Sequence, residues 1–295
     1  MAILNTRSPK WLSIDDVNIS YAVLKLYVWD GVDTAKPATP IYTIRKSVLA
    51  GSEYIYFEIA ELVRDELDVI FDGNYNGQAA WVSADIFAYN ESGVELTDDS
   101  FSFIAFDGYD YFEELSSDTS SLRITNRELF VLKDNNFRVP IYTNTSPSIV
   151  FYNNGVVVGG ETFTNDSSSE YQVKYSAYLG AVDKIEVLSG NETETIKVNV
   201  LEECKYEPKK VTFINKFGVL QDVYFFKKSV ENMTIEKESY KSNILDISMQ
   251  YSRSSHVNRD FNIIGKESTT LSSGFLSEEY NEVFKQMMLS EKVWV

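Results

Sequence analysis

Apolar and polar positions alternate with a period of two along much of this chain, which is the pattern of strands buried on one face. From Val17 to Trp29, residues Val17, Ile19, Tyr21 and Val23 share a face, and from Val23 onward both faces are apolar, so the second half reads as a central strand. Short strands follow at Ile41 to Arg45 and Tyr54 to Ile59. Leu62, Val63 and Leu67 then take helical spacing, with Glu61, Arg64, Asp65 and Glu66 on the wet side. Ala79 to Tyr89 has two distinct faces: Ala80, Val82, Ala84, Ile86 and Ala88 point one way, and these small residues predict a second layer packed close. A turn at Asn90 to Gly93 leads into a returning strand, Phe101 to Phe106.

Between Asp107 and Ser121 the chain is acidic, serine-rich and without periodicity, and reads as a connector. Strands are then expected at Leu122 to Leu132, Phe137 to Thr143, Ile149 to Val158, Tyr171 to Leu179, Val182 to Leu188 and Thr195 to Leu201, the spacing of an antiparallel sandwich. Tyr206 to Lys228 reads as a complete hairpin. In it Val211 and Phe213, then Leu220, Tyr224 and Phe226, alternate with Thr212, Gln221 and Lys227 around a turn at Asn215 to Gly218, where Gly218 can take a positive φ. Pro208 marks the entry, and a new domain is expected to begin there. Ile244 to Tyr251 alternates again, further strand runs to Leu271, and Ser277 to Lys292 is an amphipathic helix with Ser277 as N-cap. Its stripe is Tyr280, Val283, Phe284, Met287 and Met288, followed by the strand-like end Val293-Trp294-Val295.

The fold expected is therefore mainly β: two or three consecutive antiparallel sandwich-like domains with few short helices. The segments are 1–112 with one short helix, 113–205 as a middle sandwich, and 206–295, hairpin-rich and ending in the amphipathic helix. A length of 295 residues and an apolar fraction of 44% allow that number of cores.

Charge narrows the partners. With 44 acidic against 27 basic residues the formal net charge is −17, which disfavours phosphate backbones and anionic lipid. No nucleic-acid or membrane partner is expected, and no window approaches the ~18 apolar residues of a membrane span. Met1 to Ser13 lacks the apolar stretch of a signal peptide, and the lone Cys204 fits synthesis in a reducing cytoplasm. Six Asn-x-Ser/Thr sequons, at Asn18, Asn90, Asn144, Asn165, Asn191 and Asn232, then carry little weight.

Catalytic constellations are sparse. His256 is the sole histidine, in a polar run, and one His with one Cys cannot build a tetrahedral zinc shell. Gly155 to Gly160 lacks the spacing and the Lys-Ser/Thr of a phosphate loop, and no acidic run has calcium-loop spacing. Paired acids occur at Asp15-Asp16, Asp98-Asp99, Glu113-Glu114, Glu202-Glu203 and Glu278-Glu279, yet neighbours on a strand point to opposite faces. No enzyme activity, cofactor or metal is expected.

Five stretches also carry a family likeness. Lys210 to Lys228 (KVTFINKFGVLQDVYFFKK), Gly265 to Leu271 (GKESTTL) and Ser277 to Val295, with Arg7-Ser-Pro-Lys-Trp11 and Tyr54 to Leu67, resemble virion structural proteins of tailed bacteriophages, of the type infecting Bacteroidetes or marine hosts. The resemblance implies a non-enzymatic virion part of the neck, tail, baseplate or head, made in the host cytoplasm and assembled with copies of itself and other virion proteins. It brings no catalytic residues. The assembly candidates are Tyr280, Phe284, Met287, Met288, Val293, Trp294 and Val295, with the last three a strand able to pair with a neighbour or to fold back. Two other readings stand beside it: a carbohydrate-binding or adhesin module, with Trp11, Trp29 and Trp81 as aromatic platforms, and an acid-pair hydrolase.

Overall fold

The structure is a computed structural model that describes residues 2–30, 35–75, 79–110, 120–133, 136–143, 146–164, 173–178, 180–202, 205–242, 249–250, 254 and 256–295. Most of the strand expected at Ile244 to Tyr251 and most of the connector lie outside the described residues, as do Glu113-Glu114, Asn144, Asn165, Glu203 and Cys204. The fold is mainly β, with sandwich-like layers. Two compact units result. The larger comprises Met1–Glu202, Lys210–Tyr224 and Leu276–Val295, and the smaller Glu203–Lys209 and Phe225–Phe275.

In the larger unit a five-stranded sheet has the order β1 (Ala2–Asn5), β7 (Glu95–Phe106), β6 (Ala80–Tyr89), β3 (Tyr21–Asp30), β4 (Tyr42–Ser47). A two-stranded layer, β2 (Trp11–Asp15) with β5 (Tyr54–Glu58), covers it, and helix α1 (Ala60–Arg64) follows. Leu12, Ile14, Ile55 and Phe57 from the small layer meet Leu24, Leu26, Ala84 and Ala88 in one core. The alanines of β6 allow that close layer, as their spacing predicts. Two features depart from the sequence reading. The core face of β3 is Ala22, Leu24 and Leu26, whereas Tyr21 lies on the other face stacked on Tyr89, with Val17 exposed ahead of the strand. The strand starts at Tyr21, so the alternation seen through Val17 and Ile19 runs across a turn. The first strand, β1, is parallel to β7 and was hidden by its brevity.

A second core lies between the sheet β11 (Val156–Thr162), β10 (Ser148–Asn153), β13 (Lys184–Ser189), β14 (Glu192–Leu201), β8 (Glu128–Leu132) and the pair β12 (Val173–Tyr178), β9 (Phe137–Tyr142). The run Ile149 to Val158 is two strands, because Asn154 and Gly155 both take positive φ, 50° and 78°, the conformation of a tight hairpin turn. The expected strand Leu122 to Leu132 shortens to β8: the Asn126 carboxamide accepts from the Glu128 amide at 2.9 Å, bending the chain before β8. The sheet is not wholly antiparallel, since β8 runs parallel to β14.

The hairpin β15 (Lys209–Ile214) and β16 (Leu220–Phe225) does not open a separate C-terminal unit. Residues 210–224 belong with the first two cores, where Val219 packs with Trp81, Phe106 and Tyr142, and Ile214 and Leu220 with Val69. Its expected wet face is closed too: Thr212 and Gln221 are buried along with Phe213, Leu220 and Tyr224. The polar atoms are satisfied there. Asn215, fully buried, donates to the Arg123 carbonyl at 2.8 Å and to Gln221 Oε1 at 2.9 Å, and its own Oδ1 accepts from the Phe217 amide at 3.0 Å.

The helix expected over Ser277 to Lys292 is a 3-10 turn, Glu278–Tyr280, leading into α2 (Asn281–Leu289). Ser277 occupies the N-cap position, but its hydroxyl donates to Glu128 Oε2 at 3.1 Å and caps no amide. The smaller unit contains β17 (Val230–Lys241) and β18 (Asn258–Thr270), an antiparallel ribbon of 12 and 13 residues.

Candidate functional site

Three segments far apart in sequence converge around β15. Asp222 on β16 accepts from Tyr75 Oη at 2.7 and 2.6 Å through its two oxygens, and from Thr212 Oγ1 at 2.7 Å. Lys210 Nζ donates to Tyr75 Oη at 2.8 Å and lies 4.0 Å from Asp222. Tyr75 also packs on Tyr175 (5.5 Å between centroids) and Phe71 (5.1 Å), and Phe71 packs on Trp294 (5.5 Å). Burial first, then the Asp222 carboxylate, pushes the Tyr75 phenol well above its ordinary range, and burial does the same for Tyr175. Burial also lifts Tyr224, to about 12. These tyrosines are therefore neutral at physiological pH: Tyr75 donates to Asp222, while Tyr175 accepts from the Leu220 amide at 2.8 Å. The cluster fastens β15 and β16 to the segment that carries Phe71 and Tyr75.

The C-terminal segment is the second half of this fastening. β19 (Val293–Trp294) pairs antiparallel with β15 of its own chain, Thr212 opposite Trp294 and Phe213 opposite Val293. Lys292 Nζ contacts Asp68 at 3.1 Å and the Val69 carbonyl at 2.8 Å, and Arg64 pairs with Glu291. Arg64 also lies 3.7 Å from Asp107, which holds Arg7 through two contacts at 2.9 and 3.1 Å. Asp68, Phe71, Lys292 and Trp294 line an open cleft of about 360 Å³. Of the assembly candidates, Tyr280 is buried, Phe284, Met287 and Trp294 are half-buried, and Met288, Val293 and Val295 are exposed. The strand at 293–294 thus closes in cis, because β15 presents an edge beside it and the Lys292 and Glu291 ion pairs hold it there.

Close backbone packing seats the hairpin turn. A Cβ on Gly218, at φ 74°, would lie 2.7 Å from the amides of Asp107 and Gly108, and one on Gly108 would lie 2.6 Å from the Lys216 carbonyl. Buried Gln286 of α2 locks the same turn, accepting from the Lys216 amide at 3.3 Å while donating to Thr125 Oγ1 at 2.8 Å. Nothing in the alternation of the chain announces Tyr75, Asp222 or Gln286. Only their being polar residues beside apolar runs could have drawn notice.

Among the described residues, those weighed for catalysis are not brought together. His256 is exposed. Asp98 and Asp99 are successive positions of β7, opposite Phe87 and Ile86, and so point to opposite faces. Asp15, Asp16, Glu202, Glu278 and Glu279 are dispersed on exposed ends or half-exposed turns. Among the described residues no group of three or more His, Cys, Asp or Glu side chains is placed to hold a metal ion. No helix among them is long and apolar enough to cross a membrane.

A different surface gathers aromatics. Trp11, Tyr54 and Tyr56 are each about half exposed on the outer face of β2 and β5, and the two tyrosine rings are 6.2 Å apart with planes 20° from parallel. Trp81 is buried and Trp29 half-buried, so of the three tryptophans considered as platforms Trp11 has the accessible ring.

No protein-family model matches the chain, and no curated protein matches it in sequence. Among solved structures it is similar to CBD12 from CALX1.2, at 14% identity over 63% of this chain and 75% of that one, with a TM-score of 0.23. It is similar also to the calcium binding domain CBD12 of CALX1.1, at 13% identity over 65% and 79%, with a TM-score of 0.21. Likeness at these scores carries no argument for a shared ligand or role.

Proposed function

We propose that this chain is a non-enzymatic structural subunit of a tailed-phage virion, present in repeated copies in the neck, tail, baseplate or head and partnered by copies of itself and other virion proteins. The observation that carries the reading is the β17–β18 ribbon. Every one of its residues is exposed, although Met233, Ile235, Phe261, Ile263 and Ile264 are apolar. A two-stranded ribbon is at best marginal in water by itself, and apolar strands exposed along their length are an aggregation hazard unless a neighbour covers them. A subunit that always meets neighbours turns that hazard into a contact. The sequence resemblance points the same way, and two of its stretches fall on hairpin β15–β16 and on the C-terminal half of β18, from Gly265. Peptide mass spectrometry of purified virions tests the reading: the chain is expected in many copies per particle, and its absence from them overturns the proposal.

The exposed rings of Trp11, Tyr54 and Tyr56 favour one second reading, a carbohydrate-binding or adhesin module, since paired aromatic faces are the platforms sugars stack on. Glycan binding by the purified chain that disappears in Tyr56→Ala supports it, and binding to no glycan excludes it.

A further inference from the structure

The ribbon's two faces differ in a way that sets how many neighbours it needs. Paired residues share a face, so Met233, opposite Glu267, and Ile235, opposite Gly265, lie with Ile263 on one side. On the other, Ile264 opposes Glu236 and Phe261 opposes Glu238, with Tyr240 in ring contact with Phe261 at 5.7 Å. The faces exchange near Asn262, whose φ of 48° accompanies the bulge in the register. Apolar side chains thus stand exposed on both sides, and covering one side leaves the other wet.

Charge argues for a second copy of this chain as the occupant. At −17 overall, most surfaces of two copies repel. The ribbon is the exception: Lys237, Lys241, Arg259 and Lys266 are interspersed with five acidic residues, and the pair carries almost no net charge. Both signs are available to a like ribbon laid against it.

We infer that the ribbon packs face to face with ribbons of two other copies, one on each side, in a closed ring of three or more chains. Strands of this length at ~3.4 Å per residue and ~5 Å apart present roughly 400 Å² per face. A single face-to-face contact buries about 400 Å² of each ribbon, about 800 Å² in total and no more than an incidental crystal contact, whereas contacts on both sides bury about 800 Å² of each ribbon, the per-partner share of a specific interface. A two-fold pair uses one face of each ribbon and so falls short. Closure around a ring uses both and leaves no ribbon uncovered. The inference deepens the repeated-subunit reading and rests on it only for the setting in which the ring forms.

The test is native mass spectrometry and light scattering on the purified full-length chain at about 100 μM, high enough to populate contacts at the weak end of specific interfaces. Wild type is expected as a complex of three or more copies. Ile263→Lys and Ile264→Lys, on opposite faces, are each expected to reduce it to a dimer at most, and the double variant to a monomer. Because both residues are exposed, the melting transition of the monomer should be unchanged, which separates lost assembly from lost folding. A monomeric wild type, or a ring that survives both substitutions, overturns the inference. The virion reading fails separately: a chain that forms rings yet is absent from particles refutes that reading and leaves the ring intact.

Discussion

Replacing Asp222 by Ala removes the acceptor of two hydroxyls at once, and the structure sets the size of the effect. The Asp222 side chain is 9% exposed, Thr212 is buried, and Tyr75 is half-buried. A hydrogen bond to a charged acceptor contributes about 1.5–3 kcal/mol, and a buried donor left unmade costs about 1–3 kcal/mol. Lys210 still reaches the Tyr75 oxygen and is itself 41% exposed, so water can enter on that side and the sum is reduced to about 2–4 kcal/mol. Tyr75→Phe removes one of the two contacts and should cost about 1–2 kcal/mol, because the aromatic packing on Phe71 and Tyr175 survives. The double variant should therefore cost less than the two singles added, by about 1–2 kcal/mol. At ~2–4 °C per kcal/mol for a unit of this size, Asp222→Ala should melt about 4–16 °C lower, measured by calorimetry or by denaturant midpoints with unchanged slope. Strict additivity of the two substitutions, or melting of Asp222→Ala alongside wild type, would refute the fastening role.

Phe213→Ala, at a position with no exposure, should cost ~3–5 kcal/mol, and a change no larger than that of an exposed control would show the hairpin face misplaced. Gly218→Ala should be destabilising by more than the ~1–2 kcal/mol of a left-handed backbone, since its Cβ also meets two amides at 2.7 Å; wild-type melting would show that the turn does not sit on Asp107 and Gly108. The Arg64 hydrogen bond holds the Glu291 carboxyl below its ordinary value, so the pair stabilises above that value and its contribution is lost as pH falls through the depressed one. Melting of Glu291→Gln should accordingly fall less between pH 7 and pH 3 than that of wild type, and parallel pH profiles would contradict the pairing.

Much of the placement of strands along the chain was legible because many strands bury one face and so alternate. β5 and β13 show that signal, whereas the turn at Asn154-Gly155 lies inside a run that reads as one strand because apolar residues continue on both sides of it. The exposed ribbon shows where it stops. β17 (VENMTIEKESYK) has no buried face to impose a period, so its strand is made by backbone pairing to β18 and not by a pattern within itself. The hairpin misled in the opposite direction: Thr212, Asn215 and Gln221 occupy positions that usually face water, and tertiary hydrogen bonds let them be buried. The Tyr75–Asp222 contact spans 147 residues, and local spacing holds no trace of a partner at that distance.

The central claim is that neighbouring copies meet in a virion, and cross-linking inside intact particles tests it most directly. With the native Cys204 replaced by Ser, single cysteines at Met233 and Ile264 place one thiol on each face of the ribbon. Mild oxidation of purified particles carrying both should join the chains into a ladder that ends at a fixed closed number of copies, while either cysteine alone should give shorter species. Chains that are found in the particles yet stay monomeric under oxidation, or particles that lack the chain, would contradict the account.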